Sequence, residues 1–110
     1  MALLNFAEQR LSPRRKLTGL LPGRMVVVGS NANISCKPVD ISAHGLGIVS
    51  EEILTAGSKL ALRTHDREIL LEVSWGQPDF GKRDLYRYGL VTVDRDVDLE
   101  LVFADTGCLK

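Results

Sequence analysis

Between Tyr86 and Val93 the chain alternates, with Tyr86, Tyr88, Leu90 and Thr92 on one side and Arg87, Gly89, Val91 and Val93 on the other. That is the period of two of a β-strand with unlike faces. Upstream, the β-branched run Arg24-Met25-Val26-Val27-Val28 reads as a first strand, closed by the turn residues Gly29-Ser30-Asn31-Ala32-Asn33. Ile34 to Ile41 and Leu46 to Ser50 flank the tight polar connection Ser42-Ala43-His44-Gly45 and predict a hairpin. Leu60 to Thr64 and Glu68 to Trp75 predict a second pair about His65-Asp66-Arg67, followed by a longer loop from Gln77 to Asp84. After Asp94 to Asp98, which offers N-cap candidates and acids suited to a positive helix start, Leu99, Leu101, Val102 and Phe103 predict one short helix. Near the N-terminus, Leu3, Leu4, Phe6, Ala7 and Leu11 recur at helical spacing until Ser12-Pro13 breaks the pattern. The sum is a mainly all-β fold, a small six-stranded antiparallel β-barrel with a C-terminal helix.

Pro13, Gly19, Pro22 and Gly23 argue against regular structure from Arg10 to Arg24. The expected division is therefore a flexible N-terminal arm over residues 1–23 and a barrel with its helix over 24–110. At 110 residues, 45% of them hydrophobic and 25% charged, the chain fits one globular domain and not a two-domain enzyme. Net charge is zero but unevenly spread: residues 1–39 hold six basic side chains against one acid, leaving an excess of five acids in 40–110. A local anion site suits this distribution better than a broad nucleic-acid surface. Cys36 and Cys108 are far apart, no secretory leader or apolar span is seen, and a reduced, cytoplasmic setting with free thiols is expected. With His44 and His65 scattered, no metal site is expected.

Two spacings carry candidate chemistry: Arg10-Leu-Ser-Pro-Arg14 (RxxxR) and Asp40-Ile-Ser42-Ala-His44-Gly45 (DxSxxG). Either alone is common; their order, separation and placement on a basic arm and a strand–turn–strand are far more specific together. On these residues the chain resembles the PilZ domains, which bind the bacterial second messenger cyclic di-GMP. The likeness extends over roughly residues 8–104 and includes the run Gly45-Leu46-Gly47-Ile48 and the strand Tyr88-Gly89-Leu90 to Asp94 before the helix. The resemblance implies a non-enzymatic receptor with Arg10, Arg14, Asp40, Ser42 and Gly45 as ligand residues and no cofactor. Arg15 leaves the arginine register ambiguous by one.

The ligand's chemistry asks for these residue types. Guanine O6 and N7 accept the two parallel bonds of an arginine fork, whose plane also stacks on a base, so Arg10 and Arg14 suit guanine or phosphate. Asp40 supplies a carboxylate for the N1–H and N2–H donors of guanine. The Ser42 hydroxyl can donate to a ligand oxygen or brace the turn, and Gly45 permits a positive φ or a close backbone approach. On binding, the arm is expected to order across the barrel and create a surface for a downstream protein. No nucleic-acid polymer or membrane insertion is expected.

Competing readings attach to the same residues. The basic arm also reads as a solvated charge run, and Asp40 to Gly45 as an Asx- or Ser-stabilised turn. Trp75 reads most simply as a core residue ending a strand; in some PilZ members an aromatic at a similar place touches a guanine, which makes it a secondary candidate. His44 reads as a surface turn residue. The rival functions are a PilZ-like adaptor that binds protein instead of nucleotide, a small-barrel nucleic-acid module short of suitable aromatics, and a thiol enzyme around Cys36. No G-x-S-x-G elbow, P-loop or HExxH is present.

Overall fold

The computed structural model describes residues 17–79, 81 and 84–109. Six strands form one antiparallel sheet: β1 (Arg24–Val27), β2 (Cys36–Ile41), β3 (Gly45–Ser50), β4 (Lys59–Arg63), β5 (Glu68–Pro78) and β6 (Tyr86–Thr92), followed by the helix α1 (Leu99–Asp105). The spatial order is β1-β4-β5-β6-β3-β2. β1 is tied to the segment that leads into β2 by a bridge from Val26 to Asn33 and by a bond from Ile34 N to Met25 O of 2.8 Å, and the sheet curls into a half-barrel. The mainly β expectation holds, and both expected hairpins form, β2 with β3 and β4 with β5.

The alternation read from the sequence fills the interior. Ile48, Leu60, Leu62, Ile69, Leu71 and Leu90 point inward and are essentially fully buried. α1 closes the half-barrel with Leu99, Val102 and Phe103, while Leu101 faces out. Asp98 is its N-cap, its carboxylate accepting from the backbone N–H of Glu100 at 2.9 Å and Leu101 at 3.3 Å, which satisfies two of the donors a helix start leaves open. Gly107, at φ +78°, lets the chain turn back after the helix. Leu17 then bridges Leu109, and Leu17 and Leu21 lie against the core.

Two expectations need correction. β5 runs on to Pro78, so Gln77 and Pro78 belong to a strand and the loop begins at Asp79; Pro78 pairs with Tyr86 at the strand's last position, where a missing N–H costs little. Trp75 is not a core residue: it is 47% exposed. Its strand carries an irregularity between Val73 and Trp75, and the extra residue reverses the inward–outward alternation that had placed Ile69, Leu71 and Val73 inside.

β2 repeats the device. Pro38 is buried, and strict alternation would bury Asp40 as well, but a register shift between Pro38 and Asp40 turns Asp40 outward and lets Ile41 pack against the core. No helix among the described residues is long and apolar enough to cross a membrane.

Candidate functional site

The two bulges serve one row of residues. Asp40 on β2 is in register with Gly47 on β3, Gly47 with Gly89 on β6, and Gly89 with Trp75 on β5. The row crosses four adjacent strands on the outer face of the sheet, about 14 Å from Asp40 to Trp75 at the usual strand spacing. Its two ends carry a carboxylate and an indole, and its two middle positions carry no side chain.

Those side chains fold inward over the glycines. A β-carbon on Gly47 would fall 2.5 Å from Asp40 Oδ1 and 2.8 Å from its Cγ. One on Gly89 would fall 2.8 Å from Trp75 Cδ1 and closer still to Nε1. Glycine at both positions lets these side chains lie against the backbone, and a β-carbon there would displace them. The Asp40 carboxylate lies over Gly47 of β3 and the Trp75 indole over Gly89 of β6.

An open hollow of about 370 Å³ adjoins them, lined among others by Asp40, Ser42, Gly45, Gly47, Trp75 and Gly89. That volume is within the range of small-molecule sites, about 300–1,000 Å³. Asp40 is the one charged residue of the lining, and its carboxylate has no ion-pair or hydrogen-bond partner among the described residues. A half-exposed indole and an unpartnered carboxylate bordering one hollow suit a planar group that stacks on the ring and presents N–H donors at its edge.

The β2–β3 turn that carries Ser42 and Gly45 is fixed from three directions. Ser42 N donates to Gly45 O at 2.9 Å, Thr92 N to His44 O at 3.0 Å, and Leu99 N to Ala43 O at 2.8 Å. His44, exposed as expected of a turn residue, donates from Nδ1 to Val97 O at 3.2 Å and so ties the turn to the segment before α1. Gly45 allows a close approach and takes no positive φ: an added β-carbon would sit 3.0 Å from Ser42 Oγ, and the left-handed positions among the described residues are Gly19, Gly29, Gly57, Gly107, Asn31 and Asp84.

Asp40, Ser42, Gly45 and Trp75 are therefore brought together, whereas Arg10, Arg14 and Arg15 lie outside the described residues. The sequence reading missed Gly47, Gly89 and Ser74 as lining residues. The available signal was a glycine in the middle of each of two apolar strands. Cys36 carries no activated thiol: burial, and secondarily the Glu52 carboxylate, push it up to about 11, the opposite of what a nucleophile needs. Comparison of the chain with protein-family models, with curated proteins and with solved structures finds no match.

Proposed function

We propose that this protein is a cyclic di-GMP receptor of the PilZ kind, a cytoplasmic binding protein and not an enzyme. The observation that supports it best is the row Asp40–Gly47–Gly89–Trp75, in which two bulges aim a carboxylate and an indole at one glycine floor. In this reading a guanine ring stacks on the exposed Trp75 face, with Asp40 accepting from N1–H and N2–H. Ser42 donates to a ligand oxygen from the braced turn, while Arg10 and Arg14 supply forks for O6/N7 or for phosphate, with Arg15 as the alternative to Arg14. The lining's only charge, the Asp40 carboxylate, repels the ligand's two phosphates, so the reading requires the arm's arginines. Their engagement orders the arm and presents a new surface to a partner protein.

Isothermal titration with cyclic di-GMP, with GTP and cyclic di-AMP as controls, tests it. Saturable binding that falls about ten- to a hundredfold in Arg14→Ala, the loss of one charge-assisted contact, is expected. No binding at concentrations on the order of hundreds of micromolar, corresponding to about −5 kcal/mol, refutes it.

A further inference from the structure

The irregularity in β5 exposes two neighbouring residues. Val73 pairs with Leu90 and Trp75 with Gly89, so Ser74 is the extra residue, with no counterpart on β6. Val73 is buried, whereas Ser74 and Trp75 are both exposed and both line the hollow. A regular strand sends successive side chains to opposite faces and would have kept one of the two away from it. The hydroxyls of Ser30 and Ser50 are bonded within the fold, Ser30 Oγ accepting from Ala32 N at 3.2 Å and Ser50 Oγ donating to Ser35 O at 2.7 Å. Those of Ser42 and Ser74, which border the hollow, have no such partner among the described residues.

Ser74 stands one residue from Trp75, about 3.8 Å between α-carbons, on the side toward the level of Val91 and Gly45. It therefore borders whatever rests on the indole from a direction along the strands, whereas Asp40 lies across the strands from it. A carboxylate only accepts, while a hydroxyl also donates. The two together suit a planar ring with N–H donors on one edge and an acceptor on an adjoining edge.

Guanine is such a ring. With N1–H and N2–H turned to Asp40, the base keeps N7 as an open acceptor on its flank, while N3 stands beside the ribose. We infer that the Ser74 hydroxyl donates to N7 of the guanine stacked on Trp75. The inference rests on the receptor reading above and divides the recognition: N7 is common to guanine and adenine, so Ser74 selects a purine and Asp40 selects guanine among purines. The forks of Arg10 and Arg14 are then left for the phosphates and the second guanine.

The test is isothermal titration of the full chain and of Ser74→Ala with cyclic di-GMP and with its bis-7-deazaguanine analogue, in which N7 is replaced by C–H. Loss of one neutral hydrogen bond should weaken cyclic di-GMP about three- to tenfold in Ser74→Ala, with the thermal midpoint unmoved because the side chain is exposed. The deaza penalty should be smaller in Ser74→Ala than in the parent by that same factor. Parent protein that binds cyclic di-GMP while Ser74→Ala binds it equally well overturns the inference and leaves the receptor reading standing. A deaza penalty equal in both proteins also overturns it. No binding by the parent refutes the receptor reading and this inference with it.

Discussion

Gly89→Ala is the sharpest perturbation of the proposed slot. The new β-carbon would stand 2.8 Å from Trp75 Cδ1 and nearer to Nε1, so the rigid indole must leave the sheet. The direct effect on stability is small. Alanine in a strand is better than glycine by about 0.5–1 kcal/mol, whereas a fully buried aromatic is worth about 1.5–3 kcal/mol and a half-exposed one about half of that. The two changes nearly cancel, and the thermal midpoint should move by less than about 6 °C. Ligand affinity should instead fall about ten- to a hundredfold, because stacking of one base on an aromatic ring contributes about 1–3 kcal/mol.

The assay is built into the chain, since Trp75 is its only tryptophan. Its emission should shift to the red as the indole gains water, with the melting curve almost unmoved, and titration of the same samples with cyclic di-GMP reads the affinity. An unchanged spectrum would mean that the indole does not rest on Gly89. A red shift with unchanged affinity would remove Trp75 from the site.

Four further outcomes are expected. Tyr88→Phe removes a buried hydroxyl that donates to Glu52 O at 2.7 Å and accepts from Leu54 N at 2.9 Å, so it should cost about 2 kcal/mol, visible as a lower urea midpoint with unchanged slope. Thr92→Val should be neutral or stabilising by up to about 1 kcal/mol, because the buried Thr92 hydroxyl has no hydrogen-bond partner among the described residues; a clear loss in a thermal melt would contradict this. Cys36, raised from near 9 to about 11, should react with a disulfide reagent at pH 8 about a hundredfold more slowly than an ordinary thiol. The folded protein then holds that proton more tightly than the unfolded chain, so stability should be flat below about pH 9 and decline from 9 to 11, a decline absent in Cys36→Ser.

The strands were legible because burial is one-sided: Tyr88, Leu90 and Thr92 sit inside, as their period of two implies, while Arg87, Val91 and Val93 face out. The α1 start was legible from the acidic run, which holds the cap Asp98. What periodicity could not reveal was the pair of bulges. An extra residue in a strand leaves no mark in composition, yet it reverses the face of everything after it, and so Trp75 read as core. Gly47 and Gly89 escaped for another reason. They become partners only across β3 and β6, and that pairing is not readable from either strand alone.

The row of glycines lies on the seam between two hairpin-built halves, β2–β3 and β5–β6, which join where β3 pairs with β6. Each half can form by itself from near neighbours, but the slot exists only after the least local pairing closes, the step that loop-closure entropy makes slow. A ligand that needs Asp40 and Trp75 together therefore has nothing to hold in a half-formed chain. It should leave the refolding rate almost unchanged and act as a clamp on unfolding, lengthening the lifetime of the native state in proportion to its saturation.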